Sequence, residues 1–233
     1  LVSSGAGSIS PFTATNSGAT FLNATISVIP TFLNAGITCT GNNVNFTITV
    51  NPTPTINSVS NQVLCNNTST SSIVYSGTGT SYNWVNDNQS IGLTTSGTGN
   101  INSFTVTNSS NSTPLVGSFS VTPIFTNNNV ACSGSPTNFS ITVNPTPVVN
   151  ASSNQTVCNG SSTSEIVFSG TGTSYNWTNS NTVISLAASG TGTIEAFVAT
   201  NNSPSPINAQ IAVTPVFLSN GISCAGIPQN FSI

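Results

Sequence analysis

The strongest constraint on this chain is a hairpin written into it three times. Across residues 117–147 (GSFSVTPIFTNNNVACSGSPTNFSITVNPTP), Phe119, Val121, Pro123 and Phe125 alternate with small or polar residues. Beyond an Asn- and Gly-rich centre, Phe139, Ile141 and Val143 alternate with Ser140 and Thr142. Two period-2 runs around such a tip specify a long β-hairpin. The pattern occurs earlier at 24–54 and returns at 209–233, with a cysteine beside each tip (Cys39, Cys132, Cys224). Asn-Pro-Thr-Pro follows the first two copies.

The hairpin belongs to a larger unit. An offset of 93 residues links Cys65 to Cys158, Trp84 to Trp177, and 51–54 to 144–147. Leu1 corresponds to Leu93 and Leu186, and Ile233 to Ile141. This predicts the back part of one repeat (1–51), a complete repeat (52–144) and a nearly complete one (145–233). A period of this length is a whole domain, not a solenoid turn that needs its neighbours to bury a core.

Read in order, repeat two predicts a first extended strand over 55–65, a polar turn at 66–71 and a short apolar strand at 72–76. A Gly-Thr-Gly-Thr turn follows, then a strand with Tyr82 and Trp84 on one face. A second turn at Ser96-Gly97-Thr98-Gly99 precedes a strand with Phe104 and Val106 inward, and the hairpin closes the unit. No useful 3.6-residue periodicity occurs. The expected fold is all-β: tandem immunoglobulin-like sandwiches, end to end, with Trp84 and Trp177 as core anchors. Pro30, Pro123 and Pro215 fall inside the first hairpin arm, where a missing N–H interrupts a ladder. The expectation is that pairing with the neighbouring strand stops there and the tip projects beyond the sandwich.

Composition removes several functions. The chain has no Lys, Arg, His or Met, and its acids are Asp87, Glu165 and Glu195. With no cation to neutralise phosphates, nucleic-acid binding is excluded. No apolar run approaches the ~20 residues of a membrane span, so membrane insertion is not expected. No basic-then-apolar leader opens the chain, which fits an internal piece of something larger. Without His or Lys the usual nucleophile–base pairs cannot be built, and Glu165 and Glu195 have neutral counterparts in repeat two, Ser72 and Asn102. No catalytic, cofactor-binding or metal residues are assigned, because hard cations need several carboxylates and zinc needs Cys/His clusters. Yet 36% hydrophobic content with 12 Phe is a foldable composition. Its surface must be hydroxyl and amide rather than charge.

The run NPTPVVNASSNQTVCNGSSTSEIVFSGTGTSYNW, followed by SGTG and VTPVFLSNGISCAG, resembles the PKD-like repeats of very large Bacteroidota surface adhesins, gliding-motility adhesins among them. The resemblance covers essentially the whole chain. It implies an Ig-like (PKD-like) fold, export by the type IX system, and display on the cell surface. The calcium site of many PKD and cadherin-type domains is not carried over, because the acids for it are missing.

Five cysteines at fixed places in such a chain read as disulfides; lysine-dependent isopeptide staples are impossible here. In immunoglobulin topology Cys65 lies far from the tip that carries Cys132, and a disulfide needs Cα atoms within roughly 7 Å. A head-to-tail stack instead brings Cys65 of repeat two towards Cys224 of repeat three. Cys39, Cys132 and Cys158 would then pair outside this sequence. The intra-repeat pair Cys65–Cys132 remains the alternative, for a shorter first strand or another topology. Pro52, Pro54, Pro145 and Pro147 make the linkers short and semi-rigid.

The function expected is a structural stalk segment of an extracellular adhesin. Its partners are neighbouring repeats of the same long chain, with a surface or glycan ligand belonging to the parent protein. The alternative is repeats that themselves bind glycans or surfaces.

Overall fold

Alternation along the hairpin arms decides which side chains enter the core, and the rest of each unit is arranged to cover them. The computed structural model describes residues 2–233; Leu1, where the first partial repeat was placed by correspondence, lies outside the described residues. The first unit contributes β1 (Leu22–Val28), β2 (Thr31–Asn34), β3 (Ile37–Thr40) and β4 (Val44–Val50). β1 pairs antiparallel with β4, and β2 with β3 towards the tip, so 22–50 form one interrupted hairpin.

The second unit is built from β5 (Gln62–Cys65), β6 (Ser81–Asn86), β7 (Ser96–Thr98), β8 (Leu115–Asn127), β9 (Val130–Ser133) and β10 (Thr137–Asn144). One sheet runs β5-β10-β8-β6-β7, with β9 pairing the outer part of β8. Facing it, Ser69 and Ile73 bridge Thr105 and Ile101, and Ile56 bridges Gly77. Phe119, Val121, Phe139, Ile141 and Val143 of the first layer meet Ile73, Tyr75, Ile101 and Val106 of the second. Trp84 lies among them and is 7% exposed. The Phe119 and Phe139 rings are stacked at 4.6 Å. This is an Ig-like β-sandwich, and among the described residues the chain is all-β apart from single 3-10 turns at Gln89–Ile91 and Thr182–Ile184.

The third unit repeats the arrangement with β11 (Ser174–Asn179), β12 (Ser189–Thr191), β13 (Gln210–Ser219), β14 (Ile222–Ala225) and β15 (Gln229–Ser232). Its core gathers Ile166, Phe168, Trp177, Ile194, Ile211, Val213 and Phe231. Its counterpart of β5 is not a strand. β5 pairs with Ile141–Asn144, and among those only Ile141 has a counterpart here, Ile233. In the first unit Phe46 is 44% exposed, whereas its counterpart Phe139 is 4% exposed beneath Ile73 and Trp84.

Three local expectations change. The stretch 55–65 is not one strand. Thr55 and Asn57 bond to 76–78 in one layer, and Gln62–Cys65 crosses to run parallel to β10 in the other. The Ser96-Gly97-Thr98-Gly99 segment is not all turn. Ser96–Thr98 is a strand paired with β6, and only Gly99 takes a left-handed φ, of 74°. A Cβ on Gly97 would sit 2.2 Å from Trp84 Cζ2, so the glycine is needed as the floor under the indole.

The third change concerns the mid-arm prolines. β8 stays paired with β6 through Pro123 to Ile124, so the ladder to the neighbouring strand does not stop at the proline. The interruption lies in the hairpin's own return arm, where 134–136 separate β9 from β10. The N–H and C=O of one strand residue point to the same side. The Pro123 carbonyl accepts from Gly134 N–H at 2.9 Å, so the missing donor faces that return arm. Pro30 with Gly41 and Pro215 with Gly226 repeat the contact, at 2.9 and 2.8 Å.

Candidate functional site at the joint between sandwiches

The residues that meet between units two and three come from the hairpin tip of one sandwich and the far end of the other. β5 runs parallel to β10, away from the tip of its own hairpin, and ends at Cys65 opposite Asn144. β14, on the return side of the third hairpin, carries Cys224. A disulfide joins Cys65 to Cys224, with Cα atoms 5.5 Å apart and a sequence separation of 159. Cys224 is 3% exposed. Cys39 and Cys158 are free and exposed, and Cys132 is free and half-buried.

Asparagines and prolines pack this joint and its counterpart between units one and two. Pro52 and Pro54 are fully buried, and Pro145 and Pro147 are buried as well. Each linker is pressed against the hairpin of the unit it enters. A Cβ on Gly134 would lie 1.9 Å from the Pro54 carbonyl oxygen, and one on Gly226 would lie 1.9 Å from that of Pro147. The linkers are therefore immobilised by packing as well as by their fixed φ.

Asn144 is fully buried, and its amide donates to the Ser219 carbonyl of the third hairpin at 3.4 Å. Its Oδ1 has no partner among the described residues. Asn66 donates to Thr146 Oγ1 at 3.0 Å and accepts from Asn108 N–H at 2.8 Å. Asn51, the counterpart of Asn144, accepts from the Asn127 amide at 3.0 Å and donates to the Val130 carbonyl at 3.3 Å. The tip of the second hairpin thus meets the end of the first unit as the third meets the second.

Sequence reading missed the asparagines that take over work usually done by charge. Asn86 donates to the carbonyls of Asn88, Leu93 and Thr94 at 3.1–3.3 Å and accepts from Asn88 N–H at 3.1 Å. Around the Thr182–Ile184 turn Asn179 donates to the carbonyls of Leu186 and Ala187 at 3.0 and 3.3 Å and accepts from Asn181 N–H at 3.0 Å. Asn108 bonds the carbonyls of Thr113 and Val143 at 2.9 and 2.8 Å. Their recurrence one repeat apart was the available signal, but it is lost among the many other Asn residues. Asp87 accepts from Ser118 N–H at 2.7 Å and donates its own N–H to the Ser118 carbonyl at 3.1 Å, which carries the contact of β6 with β8 one residue past Asn86. The Tyr75 hydroxyl and the indole N–H groups of Trp84 and Trp177 are buried without a partner among the described residues. Burial pushes the Tyr75 hydroxyl up to about 12.

What the joint can do is mechanical. It couples two sandwiches by one covalent bond, a set of amide contacts and a packed proline linker. Fold and joint together define a tandem array of Ig-like sandwiches, cross-linked between units. No protein-family model matches the chain, and no curated protein matches it. Among solved structures, the crystal structure of chicken CNTN1 FN1-FN3 domains is similar to it at 14% identity and a TM-score of 0.34. The match covers 90% of this chain and 75% of that one. The sandwich assignment rests on the sheets and cores described above. Among the described residues no helix is long and apolar enough to cross a membrane.

Proposed function

We propose that this chain is a stalk segment of a very large extracellular bacterial adhesin, holding a distal adhesive region away from the cell surface. The observation that carries this reading is the stapled joint. Sandwiches that act independently have no need of a bond across 159 residues, whereas a spacer under load gains from one. A disulfide-bonded, all-β array fits an extracellular protein. A surface of hydroxyls and amides is insensitive to salt and offers trypsin-like proteases no cleavage residue, since Lys and Arg are absent. The resemblance to PKD-like repeats of Bacteroidota surface proteins supports export by the type IX system and a place in gliding motility.

Small-angle scattering of the chain tests the stalk. A compact particle of 233 residues has a radius of gyration of about 17 Å. Units laid end to end at about 40 Å each give a rod with a value nearer 30 Å. A measured value near that of the compact particle overturns the reading.

A further inference from the structure

Cys39 and Cys224 hold the same place in hairpins two repeats apart. The backbone between them passes through the whole of the second sandwich and most of the third. The Cys65–Cys224 bond offers a much shorter covalent route: along the chain from Cys39 to Cys65, then across one S–S bond with Cα atoms 5.5 Å apart. Fully extended, the stretch 39–65 reaches about 90 Å. β8 has 13 residues, and at roughly 3.3 Å per residue it sets a folded repeat at about 40 Å, so two repeats already span about 80 Å. The short route has almost no slack, and under tension the shortest covalent route becomes taut first.

We propose that the Cys65–Cys224 bond is a load-bearing bypass. Tension along the array runs through 39–65 and the bond, and the chain bracketed by the two cysteines is shielded from extension. That bracket has a sequence separation of 159, about 550 Å of extended chain that cannot be drawn out while the bond is intact. The sandwiches then serve as spacers and displayed surface, and the cross-linked path serves as the cable. The value of this to the protein rests on the stalk reading; the geometry does not. The stretch 132–158 has the same construction, running from a tip cysteine to the next sandwich's Cys65 counterpart. An array repeating these cysteines holds two such routes side by side, so that losing one bond leaves the other taut.

Single-molecule extension of the full chain tests this. The Cys132→Ser, Cys158→Ser variant is held through a thioether at Cys39 and a tag after Ile233. The expected fully extended length is about 120 Å while the bond is intact and about 680 Å after dithiothreitol reduces it in the same tethered molecule, a five- to six-fold change. Reduction of a molecule already folded removes any doubt about folding without the bond, and Cys65→Ser should give the long value from the start. Equal lengths before and after reduction overturn the bypass while leaving a rod in scattering untouched. A compact particle in scattering overturns the stalk and leaves the two lengths unchanged.

Discussion

Replacing Gly97 with alanine isolates one contact in the core. Glycine inside a strand normally costs roughly 0.5–1 kcal/mol relative to alanine, and the φ of Gly97 is not in the left-handed region. A strand-propensity argument therefore predicts a small gain from the substitution. The structure predicts the opposite. The new methyl would lie 2.2 Å from Trp84 Cζ2, 2.6 Å from Cε2 and 3.0 Å from Cη2, against a comfortable carbon–carbon separation of about 3.5–4.0 Å. The indole must retreat by more than ~1 Å, but it is 7% exposed and packs on Phe119 at a ring distance of 6.3 Å. Overpacking of this kind costs about 1–3 kcal/mol, and the crowding of three ring atoms puts Gly97→Ala at the upper end, about 3 kcal/mol. Urea dependence of hydrogen exchange at the core amides of the second unit measures it in any tryptophan background. The same substitution in a Trp84→Phe background should cost less than about 1 kcal/mol, because the six-membered part of the indole is gone. A loss below about 0.5 kcal/mol with Trp84 present, or an equal loss in both backgrounds, refutes the reasoning. Gly190 beneath Trp177, with a closest approach of 2.3 Å, should behave alike.

Two further outcomes follow from the buried polar groups. The Tyr75 hydroxyl is raised by burial to about 12 from about 10 in an unfolded chain. Its stabilising contribution is thus fully present below pH 10 and is lost between about pH 10 and 12, by roughly 3 kcal/mol. Tyr75→Phe, which installs the residue found at the counterpart Phe168, should abolish that alkaline fall in denaturation midpoints of the second unit; an unchanged slope would contradict the assignment. Asn86→Ala should destabilise the second unit by about 2–3 kcal/mol, since it orphans buried backbone groups around the Gln89–Ile91 turn. Hydrogen exchange at Asn88 and Ser90 should rise with it, and an effect below about 0.5 kcal/mol would show those bonds to be dispensable.

The sequence by itself determined the all-β class, the hairpin and its inward face. Strand side chains alternate with period two, so Phe119, Val121, Phe139, Ile141 and Val143 had to share a side whatever covered them. The absence of Lys, Arg and His likewise determined, before any folding, that polar contacts would rest on amides and hydroxyls. Other features depend on groups distant in sequence, and local pattern carries no record of them. Alternation names Trp84 as a core residue but not Gly97 as its floor, because that contact depends on the pairing of β6 with β7. Proline marks a gap in a ladder but not on which side, and only the Gly134 bond shows that it faces the return arm. Topology favoured Cys65 with Cys224 and left Cys65 with Cys132 as an alternative. The choice depends on which end of the sandwich Cys65 reaches, and 55–65 carries it there by crossing to run parallel to β10, away from the tip of its own hairpin. That crossing is a competition between two sets of backbone hydrogen bonds, and only the packed tertiary structure decides it.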